Sequence, residues 1–494
     1  MSISRGFSFL KIDGVRNFLS IGFMLLLGLQ DAIAEVKAFP SAEGFGSKAL
    51  GGRGGRVIEV TNLLDSGTGS LRACAESTGA RTCVFRVSGT ISLTKSISIK
   101  AANSLLTIAG QTAPGGGIQL KNFGIVISYG AHDVIVRHIR VRPGTDGSPQ
   151  NINDCVGILI WSPTTSATTK NIIVDHVSLA WVCDDTLQVY GNTKNVTAQW
   201  SLVGEGLTKS DYVNNAGKGA NSKGGLVGGG NMLTSFHHNM YIHTGSRNAY
   251  TKGGSGGVLG MLDWRNNIVY NWKGCQGQLQ IGEYNENFIQ GNDASVFINF
   301  VGNKYFKGPD SPAGCWLGQL GGRKTKIYIK DNYSPFCTNG CTTLKDMKFS
   351  HEESTVWNQG VPTYNSPAPE NQFRSLTAFN APPIKLTALS SLESVLTSSS
   401  KGVGAIKPVR DSLDKRLINE FLTRTGNLGR NGAPYPQLAS GVPPVDKDHD
   451  GMPDSWEVAH GLNPNNASDG SKLAPNGYTN LENYLNMIAG DLIP

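Results

Sequence analysis

The chain has 494 residues, of which 62 are glycine and only 16% are Asp, Glu, Lys or Arg. Apolar residues make up 39%, which excludes an intrinsically disordered chain, and the scarcity of charged helix formers favours an all-β fold. The net charge of +7 suits an acidic polymer, whereas the lack of a dense Lys/Arg run argues against nucleic acid as partner.

Residues 1–34 have the pattern of a secretory signal peptide. A basic region precedes an apolar run and an A-x-A cleavage site: Arg5, Lys11 and Arg16, then Ile21 to Leu29, then Ala32-Ile33-Ala34. The apolar run is shorter than the roughly 20 residues that span a bilayer. We therefore predict a secreted, extracellular protein without a membrane span; the alternative for this segment is a buried N-terminal helix.

Residues from about 55 to 345 repeat a strand pattern at a loose spacing of roughly 24 to 38 residues, which is typical of a solenoid, and we predict one domain over residues 35–345. Apolar residues alternate with Asn, His or Asp in segments such as 171–178, 195–201, 236–243 and 263–270. Stacked turns would align these polar residues in ladders, and the insertions between strands would build a groove. The sequence predicts a parallel β-helix.

Eight cysteines in an exported chain permit four disulfides. Cys74 with Cys83, and Cys337 with Cys341, are close enough in sequence to pair locally. The remaining four could pair as 155–183 and 275–315. The cysteine spacing does not fit a zinc site, so we expect structural disulfides.

Residues 346–440 lose the repeat and are interpreted as a wrapping segment and linker, followed by a module over 441–494. This module opens with a twelve-residue, EF-hand-like calcium loop. Its predicted ligands are the carboxylates of Asp446, Asp448, Asp450, Asp454 and Glu457 and the carbonyl of Met452, around the turn at Gly451. The alternative is a solvated acidic turn. A second loop at 472–483 lacks the carboxylates, and we predict that the pair melts separately from the solenoid.

Several segments resemble the pectate lyase family, polysaccharide lyase family 1 and its relatives. They are Ala38–Gly46, Gly51–Gly55, Asp65–Arg72, Thr107–Gly115, Val174–His176, Phe236–Asn239 and Ser246–Asn248. The resemblance implies a right-handed parallel β-helix that cleaves pectate by calcium-assisted β-elimination. The C-terminal loop pair resembles an appendage of bacterial members.

The same resemblance implies that Arg247 is the base that removes the proton, and that Lys223 binds substrate. Family members commonly continue with Pro and a second Arg, where this chain has Ala249 and Tyr250, so binding of the substrate carboxylate is weaker on this strand. The other interpretations are a structural salt bridge for Arg247 and a solvated loop residue for Lys223.

The active-site calcium ligands implied by the resemblance are Asp154 and Asp184, with Asp185 beside it. Gln188 stands where the family has a third carboxylate, which leaves a neutral oxygen there. We interpret Asp175 and His176 as a ladder pair rather than as ligands. Trp161, Trp181 and Trp200 could stack on sugar rings, although such residues more often pack a core.

The resulting hypothesis is a monomeric, secreted lyase that uses Ca²⁺ to cleave polygalacturonate, an acidic polysaccharide. One alternative is a pectin lyase that acts on methylated polymer without calcium. Another is a non-catalytic β-helix that binds acidic polysaccharide.

Overall fold

The computed structural model describes residues 36–144, 156–208, 222–230, 232–253, 259–273, 279–281, 295–314, 316–322, 324–351, 357–358, 361–362, 366–429 and 434–491. From Lys37 onward these residues belong to one unit. Its strands wind into a right-handed parallel β-helix, in which each full turn adds one strand to each of three sheets. The predicted all-β solenoid is confirmed.

The strands of each sheet follow one another in chain order. Sheet 1 comprises Arg56–Val60, Arg81–Phe85, Leu106–Ala109, His132–Arg137, Thr169–Asp175, Thr193–Gln199, Leu233–His237, Gly260–Arg265, Val296–Val301, Lys326–Lys330 and Arg374–Ser375. Sheet 2 comprises Gly89–Ser92, Ile118–Lys121, Arg140–Arg142, Ser178–Ala180, Leu202–Gly204, Met240–Ile242, Ile268–Tyr270, Lys304–Phe306, Asn332–Ser334 and Cys337–Cys341. Sheet 3 comprises Ile97–Ile99, Ile125–Ser128, Ile158–Ser162, Asp185–Gly191, Lys223–Gly228, Tyr250–Lys252, Leu279–Ile281, Gly318–Leu320, Phe349–His351 and Ser366–Pro367. A separate hairpin joins Trp357–Asn358 and Val361–Pro362.

Helices lie mainly outside the β-helix. The α-helices of the described residues are α1 (Leu71–Ala75), α2 (Glu370–Phe373), α3 (Leu389–Thr397), α4 (Ser412–Thr423), α5 (Asp454–Ala459) and α6 (Asn480–Ala489). Two 3₁₀ turns cover Ala101–Asn103 and Gly110–Thr112. In the part of the chain that the structure describes, every helix is too short or too polar to cross a bilayer.

Successive residues along each strand point alternately to an apolar inner face and to a more polar outer face, as expected when only the inner face lies against the core. On sheet 1, Val134, Val136, Ile172 and Val174 point into a continuous core and are fully buried. The parallel register then places each inner side chain directly over the one of the next turn, for example Val134 next to Ile172. Burial of this apolar column stabilises the stack at about 25 cal/mol for each Å² removed from water.

A ladder of buried asparagines connects successive turns. The Oδ1 of Asn239 accepts from the Ser201 amide at 2.9 Å, and the Oδ1 of Asn267 accepts from the Asn239 amide at 3.0 Å. Asn303 and then Asn332 repeat the pattern, each accepting from the amide of the ladder residue before it at 2.9 Å. These bonds satisfy backbone groups that the bend between sheets 1 and 2 leaves outside the sheet hydrogen bonds.

The glycine-rich segment from residue 38 to 55 lies flat on the outer face of sheet 1. Its amides donate to outward side chains, including Gly46 to Thr197 at 2.8 Å and Gly52 to Thr107 at 2.9 Å. A Cβ on Gly46 would lie 2.2 Å from the carbonyl oxygen of Ile172. Glycine is therefore required for the segment to approach the sheet this closely.

The disulfides Cys74–Cys83 and Cys337–Cys341 form as predicted. Cys183 is also disulfide-bonded, whereas Cys155, Cys275 and Cys315 lie outside the described residues. The repeat continues past residue 345, because Phe349–His351 and Arg374–Ser375 extend sheets 3 and 1.

The segment after residue 388 packs on the outer face of sheet 2. Leu392 and Leu396 of α3 and Leu417 and Phe421 of α4 bury their side chains there, in a cluster that includes Tyr270 of sheet 2. This burial fits the wrapping role proposed for residues 346–440.

The C-terminal module is packed against the first turns of the β-helix instead of standing apart from it. Met452, Leu481 and Leu485 form an apolar cluster with Ala109. Salt bridges add to this contact: Arg53 Nε lies 2.8 Å from Glu482 Oε1, and Arg137 Nη1 lies 2.9 Å from Asp491 Oδ2. This interface couples the module to the solenoid and so argues against separate melting, which stays a prediction.

We predict that Asn267→Ala lowers the free energy of unfolding by about 2 kcal/mol or more, because it leaves the buried amide of Asn239 and the carbonyl of Phe236 without partners. Chemical denaturation measures the change. The exposed Asn465→Ala serves as control and should stay within about 0.5 kcal/mol of the parent. Equal stability of the two variants would contradict a stabilising ladder.

Candidate active site and metal centre

Arg247 and Lys223 lie on neighbouring turns of sheet 3. Lys223 begins a strand and is bridged to Ser246, the residue before Arg247. Arg247 has a φ of +59°, and its carbonyl accepts a hydrogen bond from the amide of Gly225 at 2.7 Å. The stacking of two turns thus places two cationic side chains side by side.

Two carboxylates on the preceding turn bind these cations. Asp185 is the register partner of Lys223, and its Oδ2 lies 2.7 Å from Arg247 Nη1. Lys223 Nζ lies 2.6 Å from Asp184 Oδ1. The Arg247 side chain is 26% exposed, whereas that of Asp185 is 2% exposed. The cations are therefore reachable by a ligand, with the carboxylates beneath them.

One oxygen of Asp185 is left for another partner. Its Oδ1 is buried and accepts no hydrogen bond from the residues that the structure describes, and burial raises the pKa of Asp185 to about 6 despite the positive charge of Arg247. Buried, unpaired carboxylate oxygens are the hard ligands that Ca²⁺ prefers. Asp184 and Asp185 thus fit part of a calcium ligand set, while Asp154 lies outside the described residues.

Gln188 follows the carboxylate pair along the same strand. It lies in the middle of the strand that begins at Asp185, on the outer face, in register with Leu159 and Leu226. Its register neighbours are apolar, and Gln188 stays a predicted ligand.

The tryptophans have different environments. Trp181 is fully buried, with its Nε1 donating to Glu205 at 3.1 Å, and Trp200 stacks between two imidazoles. Trp161 is half-buried on the outer face of sheet 3, where its ring meets Tyr129 edge-on at 5.1 Å and Tyr190 is its register partner. Trp161 alone of the three shares a sheet face with Gln188.

A cluster of His138, Asp175 and His176 has ligand atoms within 4.8 Å of one another. Asp175 is already occupied, since its Oδ2 accepts from Arg137 Nε and its Oδ1 from Gln199 Nε2, both at 2.8 Å. A metal ion here would face the guanidinium of Arg137. The cluster thus fits a structural ladder, as the interpretation of Asp175 and His176 anticipated.

The C-terminal loop gathers five carboxylates. Ligand oxygens of Asp446, Asp448 and Asp450 lie within 4.8 Å of one another, as do those of Asp450, Glu457 and Asp469. Within the described part of the chain, the buried oxygens of these five carboxylates that have no hydrogen-bond partner are Asp446 Oδ1, Asp448 Oδ1 and Oδ2, Asp450 Oδ2, Glu457 Oε1 and Oε2, and Asp469 Oδ1. Seven such oxygens match the six to eight that Ca²⁺ takes. The donor set therefore fits calcium.

Two members of this set differ from the sequence expectation. Asp454, at the start of α5, turns its carboxylate to Lys447, whose amide and Nζ both lie 2.9 Å from it, so it stands outside the cluster. Asp469 joins instead, and the loop pattern missed it because it lies beyond the twelve-residue spacing. The sharp turn is made at Gly451, with a φ of +90°. The Met452 carbonyl stays a predicted ligand.

The crowding of these carboxylates perturbs their protonation. Burial, reinforced by the charges of the neighbouring carboxylates, raises the pKa of both Asp450 and Glu457 to about 7. A divalent cation would relieve this repulsion and hold both groups ionised.

Comparison with known proteins gives relatives that match nearly the whole chain. Probable pectate lyase C of Aspergillus flavus is 33% identical over 473 residues, which cover 94% of this chain and 96% of that protein. Probable pectate lyase C of Aspergillus terreus is 33% identical over 488 residues, which cover 96% of this chain and 99% of that protein. These matches include both the β-helix and the C-terminal module. No family model matches the chain.

The solved structures that match this chain have lower sequence identity to it. The cedar pollen allergen Jun a 1 superposes with a TM-score of 0.45 at 14% identity, over 73% of this chain and 92% of that one. Pectate lyase PelN from Paenibacillus superposes with a TM-score of 0.44 at 15% sequence identity, over 77% of this chain and 99% of that one.

We predict that the thermal midpoints in chelator and in saturating calcium diverge as the pH rises from about 4.5 to about 7. A raised carboxyl pKa means that the metal-free folded state holds protons more tightly than the unfolded chain, so its stability falls as Asp450 and Glu457 ionise. Calcium removes that loss. Scanning fluorimetry across this pH range measures both curves.

The double variant Asp450→Asn, Glu457→Gln should reduce the divergence to the part that Asp185 contributes, whereas Asp331→Asn, at an exposed carboxylate, should leave the divergence intact. A constant difference between the curves of the parent protein would refute the metal centre.

Proposed function

The chain belongs to the pectate lyase family, and we propose that Arg247, Lys223, Asp184 and Asp185 form the site at which it cleaves polygalacturonate by β-elimination. Membership makes the protein a polysaccharide lyase. The observation that carries the site is the pair of adjacent ion pairs, Arg247 to Asp185 at 2.7 Å and Lys223 to Asp184 at 2.6 Å.

The reaction defines what the site must do. A base removes the hydrogen at C5 of a galacturonate, a C4–C5 double bond forms, and the C4–O bond breaks. The leaving oxygen then takes up a proton. The C5 hydrogen is weakly acidic while the adjacent carboxylate keeps its full charge. Calcium bound beside that carboxylate supplies Lewis-acid neutralisation of the developing charge; Asp184 and Asp185, with Asp154, would hold the ion.

Arg247 is proposed as the base. Its guanidinium is partly exposed above the buried Asp185, and the ring of Tyr250 lies 5.1 Å from its Cζ. When Asp185 turns to another partner, Nη1 is released on the side that a substrate can reach. Tyr250 then limits the guanidinium to one orientation, which favours proton transfer from a defined position.

Lys223 is proposed to bind the substrate carboxylate. Where relatives of this kind continue with a second arginine, this strand has Tyr250, so the positive charge for the substrate falls on Lys223. Its Nζ is bound to Asp184, and an incoming carboxylate can take the place of Asp184 on Lys223 when the proposed calcium ion pairs with Asp184 instead.

We predict that Arg247→Lys lowers the turnover number on polygalacturonate by roughly two orders of magnitude or more, the typical scale of general-base catalysis, while substrate affinity changes little. Lysine keeps the charge but loses the planar geometry. The readout is the initial rate of unsaturated uronide formation in saturating calcium, with binding measured separately.

Arg265→Lys is the matched control, because Arg265 pairs with Asp263 on sheet 1 and should keep its rate. Near-parental turnover of Arg247→Lys would exclude Arg247 as the base and leave Lys223 as the candidate.

A second calcium site is proposed at the C-terminal loop. Its ligands would be Asp446, Asp448, Asp450, Glu457 and Asp469, with the Met452 carbonyl, and its role would be structural. The loop is seated on the solenoid, since His449 Nδ1 lies 3.0 Å from Glu59 Oε2 and the Met452 side chain is buried against Ala109. Calcium there would stabilise the contact between the C-terminal module and the first turns of the β-helix.

We predict that Asp469→Asn weakens this calcium site at least ten-fold, because it removes a charged buried oxygen from the set, and that it lowers the thermal midpoint of the whole protein in limiting calcium. Calorimetric calcium titration measures the affinity. Asp454→Asn is the control and should bind calcium nearly as the parent does. Equal loss in both variants would favour the twelve-residue pattern over the arrangement described above.

The polymer most suited to the site is the unesterified one, because the Asp184 and Asp185 carboxylates call for a cation between enzyme and substrate. Trp161 and Tyr190, outward on sheet 3, would stack on more distant sugar rings and would tolerate methyl esters there. Chelator-resistant activity on methylated polymer would indicate a pectin lyase. The predicted signal peptide further supports an exported enzyme, which we propose to be monomeric.

A further inference from the structure

A cavity of about 400 Å³ lies between the C-terminal module and the outer face of sheet 1. Its walls come from three parts of the chain: the N-terminal segment with Phe39 and Arg53, the strand residues Thr107 and Ile135, and Asn486 of α6. The volume is within the range of about 300 to 1,000 Å³ that small-molecule sites occupy. This cavity is on a different sheet from Arg247.

Two buried polar atoms in the cavity wall have no hydrogen-bond partner among the described residues. Gln111 is 5% exposed and its Oε1 accepts no hydrogen bond; Asn486 is 4% exposed and its Nδ2 donates none. A buried polar group without a partner costs free energy until it is satisfied. One atom is an acceptor and the other a donor, so a ligand hydroxyl would pair with either of them once that side chain turns toward the cavity.

The other lining residues are apolar, polar and charged. Phe39, Ile135, Leu481 and Leu485 supply apolar surface, which suits the C–H face of a sugar ring. Arg53 adds a guanidinium at the wall; its partner Glu482 holds it at 2.8 Å, so it is positioned rather than free to move. A charged, planar donor of this type suits a carboxylate.

We propose that this cavity is a second, non-catalytic binding site for a galacturonate mono- or disaccharide, the chemical class of the products of the lyase. Hydroxyls of the sugar pair with Gln111 Oε1 and Asn486 Nδ2, its ring lies on the apolar wall, and its carboxylate faces Arg53. The choice of galacturonate rests on the proposed function, whereas the cavity and its unpaired groups do not depend on it.

Occupancy of the site would have a structural consequence. The cavity is lined by both the solenoid and the module, including Asp450 of the calcium loop and Ser471. A ligand that binds only when the two parts are docked stabilises the docked state in proportion to its concentration. The product of the enzyme would thereby stabilise the contact between the C-terminal module and the first turns of the β-helix.

The test is a calorimetric titration of the full chain in saturating calcium with digalacturonate, and with neutral galactobiose as comparison. The parent should show two classes of site, with galactobiose weaker at both. Gln111→Met and, independently, Asn486→Leu should weaken one class at least ten-fold, the effect of one lost buried hydrogen bond, and keep the initial rate on polygalacturonate. Lys223→Ala should weaken the other class alone.

A single class of site in the parent protein, or unchanged titrations in both Gln111→Met and Asn486→Leu, would overturn the cavity site. Loss of both classes together in either variant would also overturn it, because the effect would then be on folding. Failure of Lys223→Ala to change either class would count against the proposed active site and leave the cavity site standing.

Discussion

The in-register stacking of successive β-helix turns is the constraint on which the rest of this structure depends. It brings Lys223 next to Asp184, 39 residues away in sequence, and Arg247 next to Asp185, 62 residues away. Neighbouring strands are about 4.8 Å apart, so side chains at matching positions must contact one another. The asparagine ladder and the apolar column fix that register, and the two ion pairs follow from it.

Much of the fold and part of the site follow from local sequence. The recurring strands predict the solenoid, and the resemblance singles out Arg247, Lys223, Asp184 and Asp185, which the structure does bring together. Gln188 shows the limit of spacing arguments. Its position on the outer face depends on where the turn ends and the strand begins, which is at Asp185, and spacing alone does not give that boundary.

The periodicity of the sequence does not predict contacts between distant parts of the chain. The pattern indicates only that Arg137 lies in a strand. In the structure it is buried between Asp175 and Asp491, the latter 354 residues away in sequence. Asp469 completes the carboxylate cluster from outside the loop that defines the motif. Both depend on how the module docks, which is decided by shape and charge rather than by local pattern. Through that docking, the C-terminal module also contributes to the stability of the solenoid.

We propose that the carboxylate pair beneath Arg247 sets the calcium requirement of the reaction. The decisive measurement is the rate of unsaturated uronide formation from polygalacturonate against free calcium, for Asp185→Asn and for the parent. We expect the variant to need at least ten-fold more calcium for half-maximal rate, while calorimetric titration shows the same calcium affinity at the C-terminal site. An unchanged calcium dependence in Asp185→Asn would contradict it.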